Sequence, residues 1–214
     1  MRGLMSKDFF TLKKKYGWTR LLIDIAIMAM LMFVLEDKGA LLISFLLIPL
    51  EIMSVVITLA TCDEQWKWSK YAISLPVSKK QIVGSRYGFA TLMASTGLVA
   101  SLVVNTISYF YFPMYAYGFY IFVSLASFAI TMLFVALILP SNYSLGVNAG
   151  FVMMLVLLGA VLLLGFWSSK HENAILRFVV DHFELGSGIA ALALIMICGL
   201  SYALSVSFFK KKHA

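Results

Sequence analysis

Six apolar stretches, separated by short polar connections, constrain the fold of this chain more than any other feature. They run roughly over Leu21–Leu35, Ala40–Ala60, Tyr87–Tyr111, Tyr115–Leu139, Gly146–Phe166 and Gly188–Phe209. A helix needs about 20 mainly apolar residues to cross the hydrocarbon core of a bilayer. With 62% hydrophobic and 13% charged residues, the 214-residue chain has the composition of a membrane bundle. We therefore predict an all-α membrane protein, with six transmembrane helices in a single domain over residues 1–214.

The basic residues predict the orientation of this bundle. Of the 17 Lys and Arg residues, six lie in the N-terminal segment, five in the connection between the second and third spans, and three in the C-terminal tail. An even number of spans places these three regions on one side of the membrane. Positively charged connections stay on the cytoplasmic side. Both termini are therefore predicted to be cytoplasmic.

A polar island from Thr61 to Tyr87 interrupts the apolar sequence. Thr61 with Glu64, and Ser78 with Gln81, have the spacing of helix-starting capping boxes. Pro76 lacks an amide hydrogen and disfavours the α conformation at the residue before it, so it ends the preceding helix. Residues 61–86 are predicted to form a cytoplasmic helix, a sharp turn and a second helix.

The segment before the first span is amphipathic. Met5, Phe9, Leu12 and Tyr16 share one helical face, whereas Lys7, Thr11 and Lys14 lie opposite. Residues 1–18 are predicted to form an interfacial helix on the inner leaflet. The membrane-interface residues are Phe9, Leu12, Lys14 and Trp18. The alternative is a basic tail that only sets the topology.

Residues 167–187 connect the last two spans on the outer side. Ser169 and Glu172 have capping-box spacing, and an apolar-leaning stripe follows them. A helix on, or dipping into, the outer interface is predicted. The histidines and acidic residues of this segment match no zinc-binding spacing, so we predict no metal site.

Three polar residues inside the apolar stretches are candidates for a functional or packing role. Glu51 is near the middle of the second span, and a charge at the bilayer centre costs about 2.5–3.5 kcal/mol on insertion scales. Glu51 is thus a candidate functional site, with a paired packing role as the alternative; we expect it to face the bundle interior or a subunit interface. Asp24 can reach water or Arg20, and Asn105 is expected to hydrogen-bond between helices.

The residues of the island also carry a resemblance. The pattern that carries it is Asp63-Glu64, Trp66, Lys70-Tyr71, Ser74-Leu75-Pro76-Val77-Ser78-Lys79-Lys80, Ile82-Val83 and Arg86-Tyr87. It resembles the type-2 ABC transporter permease family, in particular the six-span permeases of Gram-positive peptide exporters such as the phenol-soluble modulin exporter. One departure is the connection after the fourth span, Pro140–Leu145, which lacks the basic residues usual in that family.

The resemblance implies a permease subunit of an ATP-driven exporter in a bacterial plasma membrane. Its expected partners are ABC ATPase subunits, a second permease subunit (identical or sister), membrane lipid and an amphipathic or hydrophobic peptide substrate, with no nucleic acid. The chain has no phosphate-binding loop or catalytic motif. ATP and magnesium are therefore expected on the partner ATPase, and no cofactor is expected on this chain. The residues implied in ATPase coupling are Asp63, Glu64, Trp66, Lys67, Trp68, Lys70, Tyr71, Leu75 and Pro76.

Three alternatives stay open from the sequence. The first is a permease that confers resistance to a peptide antibiotic. The second is a proton-coupled transporter that uses Glu51. The third is a membrane enzyme that acts on lipid-linked substrates.

Overall fold

The computed structural model describes residues 2–113, 115–170 and 183–212. Regular structure in these ranges is entirely helical. The elements are α1 (Arg2–Lys15), α2 (Trp18–Leu35), α3 (Asp37–Leu42), a π-helical segment (Ile43–Leu47), α4 (Ile48–Gln65), α5 (Trp68–Ser74), α6 (Lys79–Tyr111), α7 (Tyr117–Leu145), α8 (Val147–Lys170) and α9 (Phe183–Lys212).

Within the described ranges, four helical stretches are long and apolar enough to cross a membrane. They are Lys38–Gln65, Lys79–Tyr111, Tyr117–Leu145 and Gly188–Lys212. Two shorter apolar stretches, Leu22–Leu35 and Val147–Ala160, lie on α2 and α8. Each of the six predicted spans thus falls on a helix, and the chain has the architecture of a multi-pass membrane protein. The count of six crossings and the cytoplasmic termini stay predictions.

Helix α7 lies at the centre of the bundle and packs against α4, α6, α8 and α9. Met53 and Val56 of α4, Ala90 of α6 and Ile138 of α7 belong to one buried cluster. The helices around this cluster are apolar on most faces, as expected for helices that are surrounded by protein or lipid. The arrangement leaves the polar ends of α1, α4, α5 and α6 together at one end of the bundle.

The turn between α2 and α3 is tight. Glu36 has a positive φ of 52° between the two helices. Gly39 lies so close to the carbonyl group of Leu31 that a Cβ atom would overlap it. Glycine therefore allows α3 to fold back against the end of α2.

The predicted helix start at Thr61 is wrong. Helix α4 continues to Gln65, and the Thr61 hydroxyl donates to the Ile57 carbonyl oxygen at 2.9 Å. A threonine in mid-helix satisfies its hydroxyl in this way, so the capping-box spacing does not mark a helix end here. The chain turns instead at Lys67, which has a left-handed conformation with φ 51° and ψ 35°.

The second predicted helix start is confirmed. The Ser78 hydroxyl accepts from the Gln81 amide at 3.2 Å, and the Gln81 side chain accepts from the Ser78 amide at 3.0 Å. Before it, α5 ends at Ser74 and Leu75 is extended, as Pro76 requires. Helix α6 then runs 33 residues without interruption.

The predicted cytoplasmic connection Pro140–Leu145 is helical in the structure. Helix α7 contains Pro140 and continues to Leu145, and the chain turns only at Gly146, whose φ is 92°. A left-handed φ of this size favours glycine. An outer segment is predicted over residues 167–187. Its residues 167–170 belong to α8, and its residues 183–187 belong to α9. Residues 171–182 lie outside the described residues.

Candidate functional site

Four charged side chains from three helices meet at the polar end of the bundle. Lys7 Nζ lies 2.5 Å from Asp63 Oδ1 and 3.1 Å from Asp8 Oδ1. Arg86 Nη1 lies 3.2 Å from Asp8 Oδ1, and Arg86 Nη2 contacts Asp63 Oδ2. We call these residues the four-charge cluster. Its two cations and two anions tie α1 and α4 to α6.

The four-charge cluster is largely shielded from solvent. The relative exposure is 2% for Asp8 and 7% for Arg86. Burial raises the pKa of the Asp8 carboxyl above its ordinary value, and the positive charges of Arg86 and Lys7 oppose that rise. Removing charges from water is costly unless each has a counter-ion. The pairing therefore explains how these helices tolerate buried charges.

Helix α5 is docked onto this cluster. Lys7 Nζ lies 4.4 Å from the ring centroid of Trp68, a cation–π contact. Ala72 is completely buried and belongs to an apolar cluster with Leu4, Val83 and Phe209. Helix α5 thus rests on α1, α6 and α9 through its inner face.

The outer face of the same segment is exposed. Trp66 is 52% and Tyr71 is 58% exposed, although both are large aromatic residues. The exposed side chains among the predicted coupling residues are Glu64, Trp66, Lys67, Lys70, Tyr71 and Pro76. We call this set the α5 surface. A contiguous aromatic and charged surface outside the apolar spans is typical of a protein contact.

The remaining predicted coupling residues point inward. Asp63 is in the four-charge cluster and Trp68 contacts Lys7, while Leu75 is partly buried. Trp68, Tyr71, Ala72 and Leu75 have the spacing of one helical face, but Tyr71 is exposed whereas the other three are buried or partly buried. Asp63 and Trp68 support the α5 surface from behind.

Helix α1 differs from its expected orientation. The amphipathic pattern places Lys7 and Thr11 opposite the apolar face, but Lys7 pairs with Asp63 and Thr11 is only 6% exposed. This face of α1 lies inward because Lys7 pairs with Asp63 of α4 and Asp8 pairs with Arg86 of α6. Of the four predicted interface residues, Phe9 and Lys14 are exposed, Leu12 is partly buried against α4, and the side chain of Trp18 lies outside the described residues.

Glu51 lies on an open side of the bundle and not in its interior. Its Oε2 atom is 3.3 Å from Arg20 Nη2, and the side chains of Arg20 and Glu51 are 46% and 38% exposed. The Arg20 guanidinium lies 4.3 Å from the centroid of the Tyr16 ring. The counter-ion expected for Asp24 is thus used by Glu51. That a subunit interface covers this side stays a prediction.

Asn105 is a buried polar residue that joins helices. Its Nδ2 atom lies 2.9 Å from the hydroxyl oxygens of Ser44 and Ser124 and 3.2 Å from that of Ser101. The side chains come from α6, α7 and the π-helical segment. Such bonds replace those that water cannot supply inside a bilayer.

Sequence reasoning did not single out Asp8 or Arg86 as site residues, nor the serines around Asn105. The available signal was weak: Asp8 follows Lys7 on an otherwise basic helix, and Arg86 immediately precedes an apolar span. Within the described residues, no group of three His, Cys, Asp or Glu side chains could hold a metal ion.

Residues 3–210 match the model of a family described as ABC-2 family transporter protein. The chain belongs to the ABC-2 family of transporter proteins. No curated protein and no solved structure matches it.

Membership of the ABC-2 family covers nearly the whole chain, including α1 and the α5 surface. It confirms the type-2 ABC permease resemblance at the level of the family. Members of the ABC-2 family are membrane subunits, and they associate with an ABC ATPase on another chain. The chain is accordingly an ABC permease subunit and a multi-pass membrane protein.

Proposed function

We propose that this ABC-2 permease subunit works in an ATP-driven exporter of amphipathic or hydrophobic peptides in a bacterial plasma membrane. In this proposal it pairs with a second permease subunit, and the α5 surface binds the ATPase. The single observation that carries the ATPase contact is the exposure of Trp66, in the turn before α5, and of Tyr71 on α5, whose inner face packs against the bundle.

The contacts behind α5 support mechanical coupling between the ATPase and the membrane helices. Trp68 contacts Lys7, which pairs with Asp63, and Asp63 contacts Arg86 of α6. A displacement of α5 would therefore act on α1, α4 and α6 together. Because the charges are buried, the four-charge cluster resists separation of these helices.

The experiment is cysteine cross-linking to the ATPase, starting from a chain in which Cys62 and Cys198 are replaced. Tyr71→Cys is the test variant, since this side chain is 58% exposed. Ala72→Cys is the matched control, because it is the next residue of the same helix and is completely buried. We expect Tyr71→Cys to cross-link to a cysteine on the ATPase and Ala72→Cys not to do so. Cross-linking of neither variant, at any ATPase position, would refute the contact.

The peptide cargo is tested separately. Membrane vesicles that contain the permease and its ATPase should transport a fluorescent amphipathic peptide only when ATP is hydrolysed. The proton-coupled alternative requires Glu51 to exchange protons, and its ion pair with Arg20 supports a packing role instead. Transport driven by a pH gradient without ATP would favour that alternative over our proposal.

A further inference from the structure

A cavity of about 310 Å³ lies behind α5, among the ends of α1, α4, α6, α7 and α9. Much of its wall is apolar and includes Leu4, Ile82, Leu139, Val147 and Phe209. Leu4 of α1 and Lys212 at the end of α9 both line it. An apolar wall that begins at the ends of membrane helices suits an amphiphile better than a small hydrophilic ion.

Polar groups without hydrogen bonds line the inside of this cavity. Both side-chain polar atoms of Asn142 are buried and have no hydrogen-bond partner. Arg86 Nη1 also makes no regular hydrogen bond, although it lies beside Asp8. Buried polar groups are nearly always bonded. Here Asn142 and Arg86 offer donors, and Asn142 one amide acceptor, to a ligand. Asp8 Oδ1 also has no hydrogen bond, but its charge is paired with Lys7 and Arg86.

The position of Asn142 depends on close packing with α8. A Cβ atom at Gly150 would overlap the Asn142 side chain. Glycine at this position therefore leaves the amide room against the α8 backbone. The unpartnered amide belongs to a packed helix junction and not to a loose surface.

The rim of the cavity carries an excess of positive charge. Lys67, Lys70 and Lys212 line it, are exposed, and form no ion pair within the described part of the chain. Among the acids that line the cavity, Asp8 and Asp63 are paired inside the four-charge cluster, which leaves Glu64. Lysines at the cytoplasmic ends of membrane helices attract anionic lipids.

We propose that this cavity binds the phosphodiester headgroup of an anionic phospholipid of the adjoining leaflet. The phosphate lies at the rim formed by Lys67, Lys70 and Lys212. Headgroup oxygens reach Asn142, and the start of an acyl chain follows the apolar wall. Free phosphate shares the anionic chemistry but gains nothing from that wall. Lys67 and Lys70 also belong to the α5 surface, so the lipid phosphate and the ATPase would share these two lysines. Lipid binding by the permease chain alone requires neither the ATPase nor the cargo.

Native mass spectrometry of the full chain tests the proposal, with phosphatidylglycerol and phosphatidylcholine of identical acyl chains as probes. The test variant combines Lys67→Gln, Lys70→Gln and Lys212→Gln. The matched control combines Lys80→Gln, Lys210→Gln and Lys211→Gln, which removes the same charge from residues that do not line the cavity. We expect the wild type to prefer phosphatidylglycerol, the test variant to bind it about tenfold more weakly, and the control to bind it normally.

A second variant separates the site from general electrostatics. Asn142→Leu keeps the net charge and removes the amide, so it should weaken phosphatidylglycerol binding while phosphatidylcholine binding stays unchanged. Thermal unfolding checks that the variant is folded; if it is not, the lysine variants decide. Equal binding of the two lipids by the wild type, or equal losses in the test and control variants, would overturn the proposal. Binding of inorganic phosphate without any binding of phosphatidylglycerol would overturn the lipid source.

Discussion

The Arg86 guanidinium contacts the Asp63 carboxylate and so joins α6 to α4 directly behind the exposed α5 surface. The two residues are 23 positions apart in the sequence. Lys7, from the far end of the chain, pairs with the second oxygen of the same carboxylate. Both acids of the four-charge cluster contact both bases, and Asp63 does so with a separate oxygen for each base, whereas Asp8 uses one oxygen for both.

Asp63→Asn should lower the free energy of unfolding by about 3 kcal/mol, because it leaves the buried Arg86 with one counter-ion. Reversible denaturation in detergent micelles measures this loss. Glu64→Gln is the matched control, since it removes the same charge from the next residue, which is exposed. The control should change stability by no more than about 0.5 kcal/mol. Equal losses in both variants would contradict the importance of the pair.

Asp8 predicts a pH dependence of defined sign. Burial raises the pKa of its carboxyl above the ordinary value of 3.8. The folded protein then holds a proton that the unfolded chain releases, so this contribution to stability is complete below pH 3.8 and is lost as the pH rises through the raised pKa. The stability of the wild type minus that of Asp8→Asn should therefore fall with rising pH. A difference that increases with pH would show that the ion pairs outweigh burial.

Spin labels at two adjacent positions test the orientation of α1. Phe10 is 73% exposed, whereas Thr11 is 6% exposed and faces the bundle. A label at position 10 should be mobile and accessible to oxygen, and a label at position 11 should be immobilised and inaccessible to a water-soluble relaxation agent. Similar accessibility at both positions would mean that α1 is not packed against α4 and α6.

The Arg20–Glu51 pair can be measured by a double-mutant cycle with Arg20→Gln and Glu51→Gln. The two side chains are partly exposed at 3.3 Å, so we expect a coupling energy of about 1 kcal/mol or less. Export by assembled Glu51→Gln complexes then separates the roles of this residue. Normal export would assign Glu51 to packing, whereas a loss of export without loss of assembly would assign it to transport.

Gly97 sets the approach of α6 to α4. A Cβ atom there would overlap Ile52 Cδ1 and touch Ile48. Gly97→Ala should cost about 1–3 kcal/mol through overpacking, and Ile52→Val should recover part of the loss because it removes the overlapping methyl group. Gly199→Ala is the control, since a Cβ at that position meets no neighbouring atom within 4 Å. Its melting temperature should not fall.

Local signals in the sequence predicted local structure well. The Ser78 capping box and the stop before Pro76 depend on residues within four positions of each other, and the structure has both. Thr61 shows the limit of such signals, because the same spacing also fits the interior of a helix whose apolar face continues to Cys62. Pro140 shows the same limit, because the sequence places it in the connection after the fourth span, whereas it lies inside α7.

Long-range pairing was beyond the sequence pattern. Lys7 and Asp63 are 56 positions apart, and Arg20 and Glu51 are 31 apart. Several acids and bases near the helix ends could have paired in other ways, and only the packing of α1, α2 and α4 decides among them. For the same reason, the amphipathic pattern places Lys7 on the polar face of α1, although Lys7 is one of the charges that hold α1 in place.

The uninterrupted helix α6 has a mechanical consequence. Its 33 residues form a rod about 50 Å long that begins at Lys79, directly after the turn that follows α5. A rod without a joint behaves as a lever: a tilt of about 5° at one end displaces the other by about 4 Å at this length. A small displacement at the Lys79 end of α6 can thus shift the hydrogen bonds around Asn105 in position, with no change of helical structure between the two places.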